Sequence, residues 1–327
     1  MGIIWAIIIG FLAGLIAKWI TPSGNKPSGF ILTTVLGIVG SVLATVLGQA
    51  IGLYGPGDGA GFIASIVGAV ILLLLIFYSL RGKIKIEAGM SGRKIIRFTD
   101  IERVAHWLMA SSFLFLALSG LNTMYGKDIL LPLMGKPAFG VLTYYSKVAH
   151  NFVGFAFMVG LLMSMVLWIR HNIPHKADLT WLLAGGGMFS KHGHVPARKF
   201  NAGQKILFWA VSIGGISVSY TGICLMLPFE FAPFEATFSV LNIFGFNLPT
   251  DLTPLQEAQY ALLWHGIVTV VLTALVLAHI YIGSIGMEGA FDAMTSGEVD
   301  ENWAREHHEL WLNELSQKDG KPIQNTQ

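Results

Sequence analysis

The chain has 327 residues, 54% of them apolar and only 12% charged, where a soluble domain carries about 25% charge. That excludes an ordinary soluble globule and points to an integral membrane protein, with the lipid bilayer as its first partner. A net charge of +2 without basic runs gives no reason to expect nucleic acid, and the single cysteine, Cys224, excludes an intrachain disulfide or a cysteine-ligated iron–sulfur cluster held by this chain alone.

Seven apolar stretches are long enough to cross a bilayer core of about 30 Å: about 2–20, 31–53, 61–80, 104–122, 148–169, 204–227 and 260–286. The start, Met1–Trp5, lacks a positive n-region and is read as part of an uncleaved span. The first three stretches are Gly-rich and free of histidine; the last four are rich in aromatic residues and contain four histidines. The expected class is therefore all-α and integral to the membrane, with seven transmembrane helices. A Gly-rich three-helix module (1–83) precedes a basic linker (84–103), a four-helix bundle (104–287) and a tail (288–327).

Lysine and arginine in short loops set orientation. The 81–103 stretch carries Arg81, Lys83, Lys85, Arg93, Lys94, Arg97 and Arg103, and 170–205 carries Arg170, Lys176, Lys191, Arg198, Lys199 and Lys205. The connection 228–258 has Glu230, Glu235, Asp251 and Glu257 but no basic residue, while the loop 123–147 has three lysines. The first two stretches thus face the cytoplasm and 228–258 faces outward, which puts the N-terminus outside and the tail in the cytoplasm.

Within the last four spans, His106, His150, His265 and His279 stand out, because an imidazole in hydrocarbon is costly unless it finds a partner. His265 and His279 are 14 residues apart, which is roughly 21 Å along a helix and some 40° short of four turns. Both therefore project from nearly one face, at two depths. Matching depths through the topology pairs His150 with His265 near the outer side and His106 with His279 near the inner side. Any one of them reads equally well as an interfacial, hydrogen-bonded histidine, but four at two matched depths favour paired ligands. Zinc would need three or four ligands at one level. Two axial imidazoles suit a haem iron, and with no C-x-x-C-H in the chain any such haem is b-type. Gly154, Gly266, Gly214, Gly215 and Gly222 leave room beside a flat macrocycle, or equally permit close helix contact. His192 and His194 read as a solvated loop, His171 and His175 carry no assigned role, and the aromatic, charged tail stretch 303–311 reads as a partner-docking or membrane-surface segment.

Several separated segments carry a resemblance: Arg97-Phe-Thr-Asp-Ile-Glu-Arg-Val-Ala-His106-Trp107, His150-Asn-Phe-Val-Gly154, Arg170-His-Asn-Ile-Pro174, Lys199-Phe-Asn-Ala-Gly-Gln-Lys205, Leu263-Trp-His265, Ala278-His279-Ile-Tyr281 and Trp303-Ala-Arg-Glu-His-His308. In this order, residues about 93–316 resemble the cytochrome b (gamma) subunit of respiratory formate dehydrogenase. The resemblance implies a subunit of the bacterial inner membrane holding two b haems by histidine pairs, with the pairing given above. It implies electrons arriving from an iron–sulfur (beta) subunit and a quinone (menaquinone or ubiquinone) reduced in this chain near the inner haem, at a pocket matched by Asn201, Gly203 and Gln204. Asn201 also reads as a helix N-cap. Formate oxidation would belong to a molybdenum- or tungsten-containing catalytic (alpha) subunit, and the resemblance further implies a trimer of complexes.

Residues 1–83 resemble a separate family of small three-helix membrane proteins named as transglycosylase-associated or stress-response proteins. The matching features include Gly10-Phe-Leu-Ala-Gly14, Gly37-Ile-Val-Gly40 and Leu53-Tyr-Gly-Pro-Gly-Asp-Gly-Ala-Gly-Phe62. These glycines allow close helix approach, and the stretch has no nucleophile–base pair, so it is read as a packing module. Two further functions compete with the leading one: the cytochrome b of another respiratory complex such as a hydrogenase, and a haem-free membrane scaffold or stress protein.

Overall fold

The computed structural model describes residues 84–187 and 195–318. The expected three-helix module of 1–83, and with it the count of seven spans, lies outside the described residues, as do His192 and His194. In chain order the elements are β1 (Lys94–Ile96), α1 (Asp100–Trp168), α2 (Lys176–Leu183), α3 (Ala202–Met226), α4 (Pro233–Asn242), α5 (Pro254–Tyr281), α6 (Asp292–Thr295), β2 (Glu298–Asp300), α7 (Glu301–His307) and α8 (Glu309–Lys318). Four stretches are long and apolar enough to cross a membrane: Asp100–Met124, Leu130–His171, Ala202–Met226 and Pro254–Gly286.

The first two of these belong to α1, which is broken where Gly135 takes φ 75° and ψ 165°, a conformation open to glycine and strained for other residues. Pro132 and Pro137 flank the break; Pro137 opens the helical run that follows, where a proline costs little because its missing amide is an orphan there anyway. The stretch 123–147, read from its lysines as a loop, is therefore largely helical: lysine interrupts hydropathy without interrupting a helix.

Contacts between the two arms of α1 run in opposite directions. Glu102 meets Trp168 at 2.9 Å, Phe113 faces Phe157 with ring centres 6.1 Å apart, and Ser119 meets His150 at 2.8 Å. As one number rises the other falls, which defines an antiparallel hairpin. Gly160 sits at its closest approach, where an added Cβ would come 2.7 Å from the backbone nitrogen of Met109. Helices α3 and α5 are antiparallel by the same test, with Gly214 against Leu272 and Thr221 against His265.

The spans turn large apolar side chains outward. Leu118, Phe152, Val166, Ile213 and Leu262 are exposed, whereas Ala117, Phe157, Leu161 and Leu272 are buried between helices. That pattern suits hydrocarbon as the outer solvent. Between α3 and α5, the acidic connection contains a buried carboxylate. Glu257 accepts from the backbone amides of Phe234 at 3.0 Å and Glu235 at 2.6 Å, and so closes the N-terminus of α4 as an anion is expected to.

Linker and tail fold together at one end of this bundle. β1 and β2 pair antiparallel, with Ile95 opposite Val299, a small sheet that the helical reading does not anticipate. Trp303, His308 and Trp311 are all buried. The stretch 303–311 therefore packs into its own chain, with its bulkiest groups hidden. Within a second, smaller unit, which includes 84–85 and 283–288, a parallel bridge links Ile84 to Met287.

Candidate functional site

The four span histidines form two pairs. His106, on the first arm of α1, faces His279 of α5 with ring centres 6.2 Å apart. His150, on the second arm, faces His265 of α5 at 6.4 Å. Antiparallel packing puts each pair at one level of the bundle, and 14 residues of α5 separate the levels by roughly 21 Å. Ring centres 6.2 and 6.4 Å apart leave room within each pair for one metal ion, whose bonds to imidazole nitrogen are about 2.0 Å long. Among the described residues no group of three or more His, Cys, Asp or Glu side chains gathers where it could hold a metal ion by itself.

Hydrogen bonds fix the tautomers of two rings. The Ser119 hydroxyl donates to the Phe115 carbonyl at 2.8 Å and lies 2.8 Å from His150 Nδ1. With its proton on that carbonyl the hydroxyl accepts from Nδ1–H, the tautomer that would leave the Nε2 lone pair of His150 free. Thr221 does the same for His265, donating to Ser217 at 3.0 Å and meeting Nδ1 at 3.0 Å. Ligand histidines characteristically donate their second nitrogen in this way, which orients the ring and raises its basicity. His106 Nδ1 is buried with no hydrogen-bond partner among the described residues.

Glycines border two of the rings. Side chains built at Gly120 and Gly222 would lie 3.6 Å from His150 Cε1 and 3.4 Å from His265 Cε1. Gly154 has nothing within 4 Å, and Gly266 faces the end of Met124. Gly214 and Gly215, read from sequence as room for a macrocycle or as helix contacts, are contacts: Leu272 fills the first, and Leu161 with Phe157 the second.

The segment 201–204 opens α3. Asn201 accepts from the Gln204 amide at 2.9 Å, and Gln204 Oε1 accepts from the Asn201 amide at 3.0 Å, a reciprocal capping box. Both side-chain carbonyls are consumed, while both NH₂ groups keep their donors as far as the described residues go. Gly203 lies under the indole of Trp181, 3.0 Å from where a Cβ would stand.

Sequence reasoning missed Ser119, Thr221, Arg97 and His308. Arg97 is buried, its guanidinium centre 5.0 Å from the Trp303 ring and 5.1 Å from that of Trp311. Its Nη2 meets His308 Nε2 at 3.0 Å. Burial, offset in part by Glu102, brings Arg97 down to about 9, which leaves it charged at neutral pH. Burial first, then the Arg97 charge, holds His308 well below its ordinary 6.5, so its ring is neutral. A hydroxyl inside an apolar span was the available signal for Ser119 and Thr221; an arginine beside aromatic residues was the signal for Arg97.

Residues 34–77 match the family described as transglycosylase associated protein, and 78 residues are 40% identical to the UPF0410 protein YeaQ of Escherichia coli K12, covering 93% of that protein and 23% of this chain. Over 232 residues the chain is 29% identical to the cytochrome b556(Fdn) subunit of the nitrate-inducible formate dehydrogenase of Escherichia coli K12, covering 70% of this chain and 95% of that one. The cytochrome b556 subunit of formate dehydrogenase from Haemophilus influenzae is 25% identical over 233 residues, which is 70% of this chain and 87% of the relative. Residues 97–297, which include all four span histidines, match the prokaryotic cytochrome b561 family, and the chain belongs to that family.

Proposed function

We propose that the chain is the membrane-anchoring cytochrome b subunit of a formate dehydrogenase, relaying electrons from an iron–sulfur subunit through two b haems to a quinone. The observation that carries this reading is the pair of imidazole pairs, with ring centres 6.2 and 6.4 Å apart at two levels of one bundle. His106 with His279 would hold one haem and His150 with His265 the other. Bis-imidazole ligation saturates the iron, so the bound group supplies electron transfer rather than oxygen chemistry. The names of the similar proteins support the formate assignment, and oxidation of formate itself belongs to partner subunits.

The chain's own residues set up the rest. Ser119 and Thr221 hold His150 and His265 with Nε2 free to ligate. The NH₂ groups of Asn201 and Gln204, left over from the capping box, offer two donors to a quinone carbonyl, and Trp181 against Gly203 gives a ring on which a flat headgroup can lie. The basic stretches support a cytoplasmic position, at the bacterial inner membrane, for the tail and the 201–204 segment.

In membranes containing the assembled complex, formate should reduce the b haems and a soluble quinone should reoxidise them. Asn201→Ala should slow reoxidation about tenfold and leave formate-driven reduction unchanged. Haems that ignore formate would contradict the proposal, and reduction by dihydrogen instead would assign the chain to a hydrogenase.

A further inference from the structure

The segment that leads into the Asn201 cap is held by groups with no part in electron transfer. Three successive backbone carbonyls are taken up: Ala197 O by the Trp311 amide at 3.3 Å, Arg198 O by His308 Nδ1 at 2.7 Å, and Lys199 O by Arg97 Nη2 at 2.6 Å. An arginine can only donate, so in the 3.0 Å contact with Arg97 the His308 Nε2 is the acceptor. Its Nδ1 therefore carries the proton and donates to Arg198 O. The order Arg97 to His308 to the 198 carbonyl has one consistent direction.

Side chains of the same segment are fastened as well. Arg198 pairs with Glu314 at 2.7 Å, Lys199 with Glu102 at 2.7 Å, and Phe200 packs against Phe98 and Trp168. From the other side of the cap, buried Lys205 donates to Ile173 O at 3.0 Å and pairs with Asp178 at 2.8 Å. Connections into helices are ordinarily surface segments that water satisfies. Here the first arm of α1 and the tail take that place.

We propose that Arg97 and His308 are positioning residues for the quinone: by clamping the 198 and 199 carbonyls they hold the Asn201–Gln204 helix start where its amide donors meet the quinone carbonyl. The proposal rests on the quinone reading of Asn201. A simple clasp for the tail would need no such grip on three consecutive carbonyls immediately before that cap.

The test uses the full-length chain purified with its haem, reduced by the soluble quinol duroquinol over a range of concentrations. His308→Ala should raise the half-saturating quinol concentration about tenfold, with dithionite-reducible haem and maximal rate within about twofold of the unaltered protein. His308→Asn keeps a donor near the Nδ1 position and should restore most of that loss. Arg97→Lys, which keeps the charge but loses the fork, should behave like His308→Ala and serves if that variant does not fold. A fall in haem content with half-saturation unchanged would overturn the proposal and leave a structural clasp. Failure of the underlying reading looks different: duroquinol would not reduce the unaltered protein, or Asn201→Ala would leave half-saturation unchanged, and both proposals would then fall.

Discussion

At the scale of single residues, two hydroxyls decide how two histidines present themselves. Ser119 and Thr221 can each give their proton to a carbonyl one turn back and accept the Nδ1–H of an imidazole on a facing span. Removing a group of this kind commonly costs 10- to 100-fold in affinity for the bound metal group. Thr221→Ala should accordingly release haem to an acceptor protein about tenfold faster than the unaltered chain, while His106 and His279 keep theirs. His308 makes a second prediction. It is neutral in the fold and held well below 6.5, whereas the unfolded ring binds a proton below about 6.5. Its contribution to stability is thus complete above that pH and declines as pH falls, by at most about 1.4 kcal/mol per unit. Thermal unfolding followed from pH 8 to pH 5 should show this slope, and His308→Asn should flatten it. None of these partnerships was legible beforehand. The Arg97–His308 contact closes over 211 residues and the Thr221–His265 contact over 44; local sequence can mark such a hydroxyl or arginine as unusual but does not name its partner.

At the scale of elements, the hairpin of α1 depends on one close approach. A side chain at Gly160 would collide with the backbone of Met109, at 2.7 and 2.9 Å, and a backbone cannot swing aside as the end of a long side chain can. Gly160→Val should cost about 1–3 kcal/mol and lower the thermal midpoint in detergent, where Gly140→Ala, exposed and with open space around it, should not. The four spans among the described residues were legible, since long apolar runs must be helical in lipid. Their ends were not. Helix α1 starts at Asp100, where the Glu102 carboxylate reaches back to the Thr99 amide at 2.8 Å, and its second arm begins well before residue 148. Caps and prolines set those limits, and hydropathy does not register them. The β1–β2 pair and the buried tail were hidden for the same reason: Trp303 and Trp311 read equally well as docking or surface groups until the partner, Arg97, is placed beside them.

For the whole molecule, the arrangement that matters is two imidazole pairs stacked along α5. Residue spacing predicted it because fourteen residues come close to four helical turns, and because antiparallel spans leave only one way to match depths. A relay across a membrane needs both levels occupied. The most direct measurement is the reduced-minus-oxidised spectrum of the purified chain with a pyridine haemochrome count. The account predicts two b haems per chain, falling to one in His279→Ala and one in His150→Ala. A well-folded preparation without haem, or one whose haem content is indifferent to both substitutions, would contradict it.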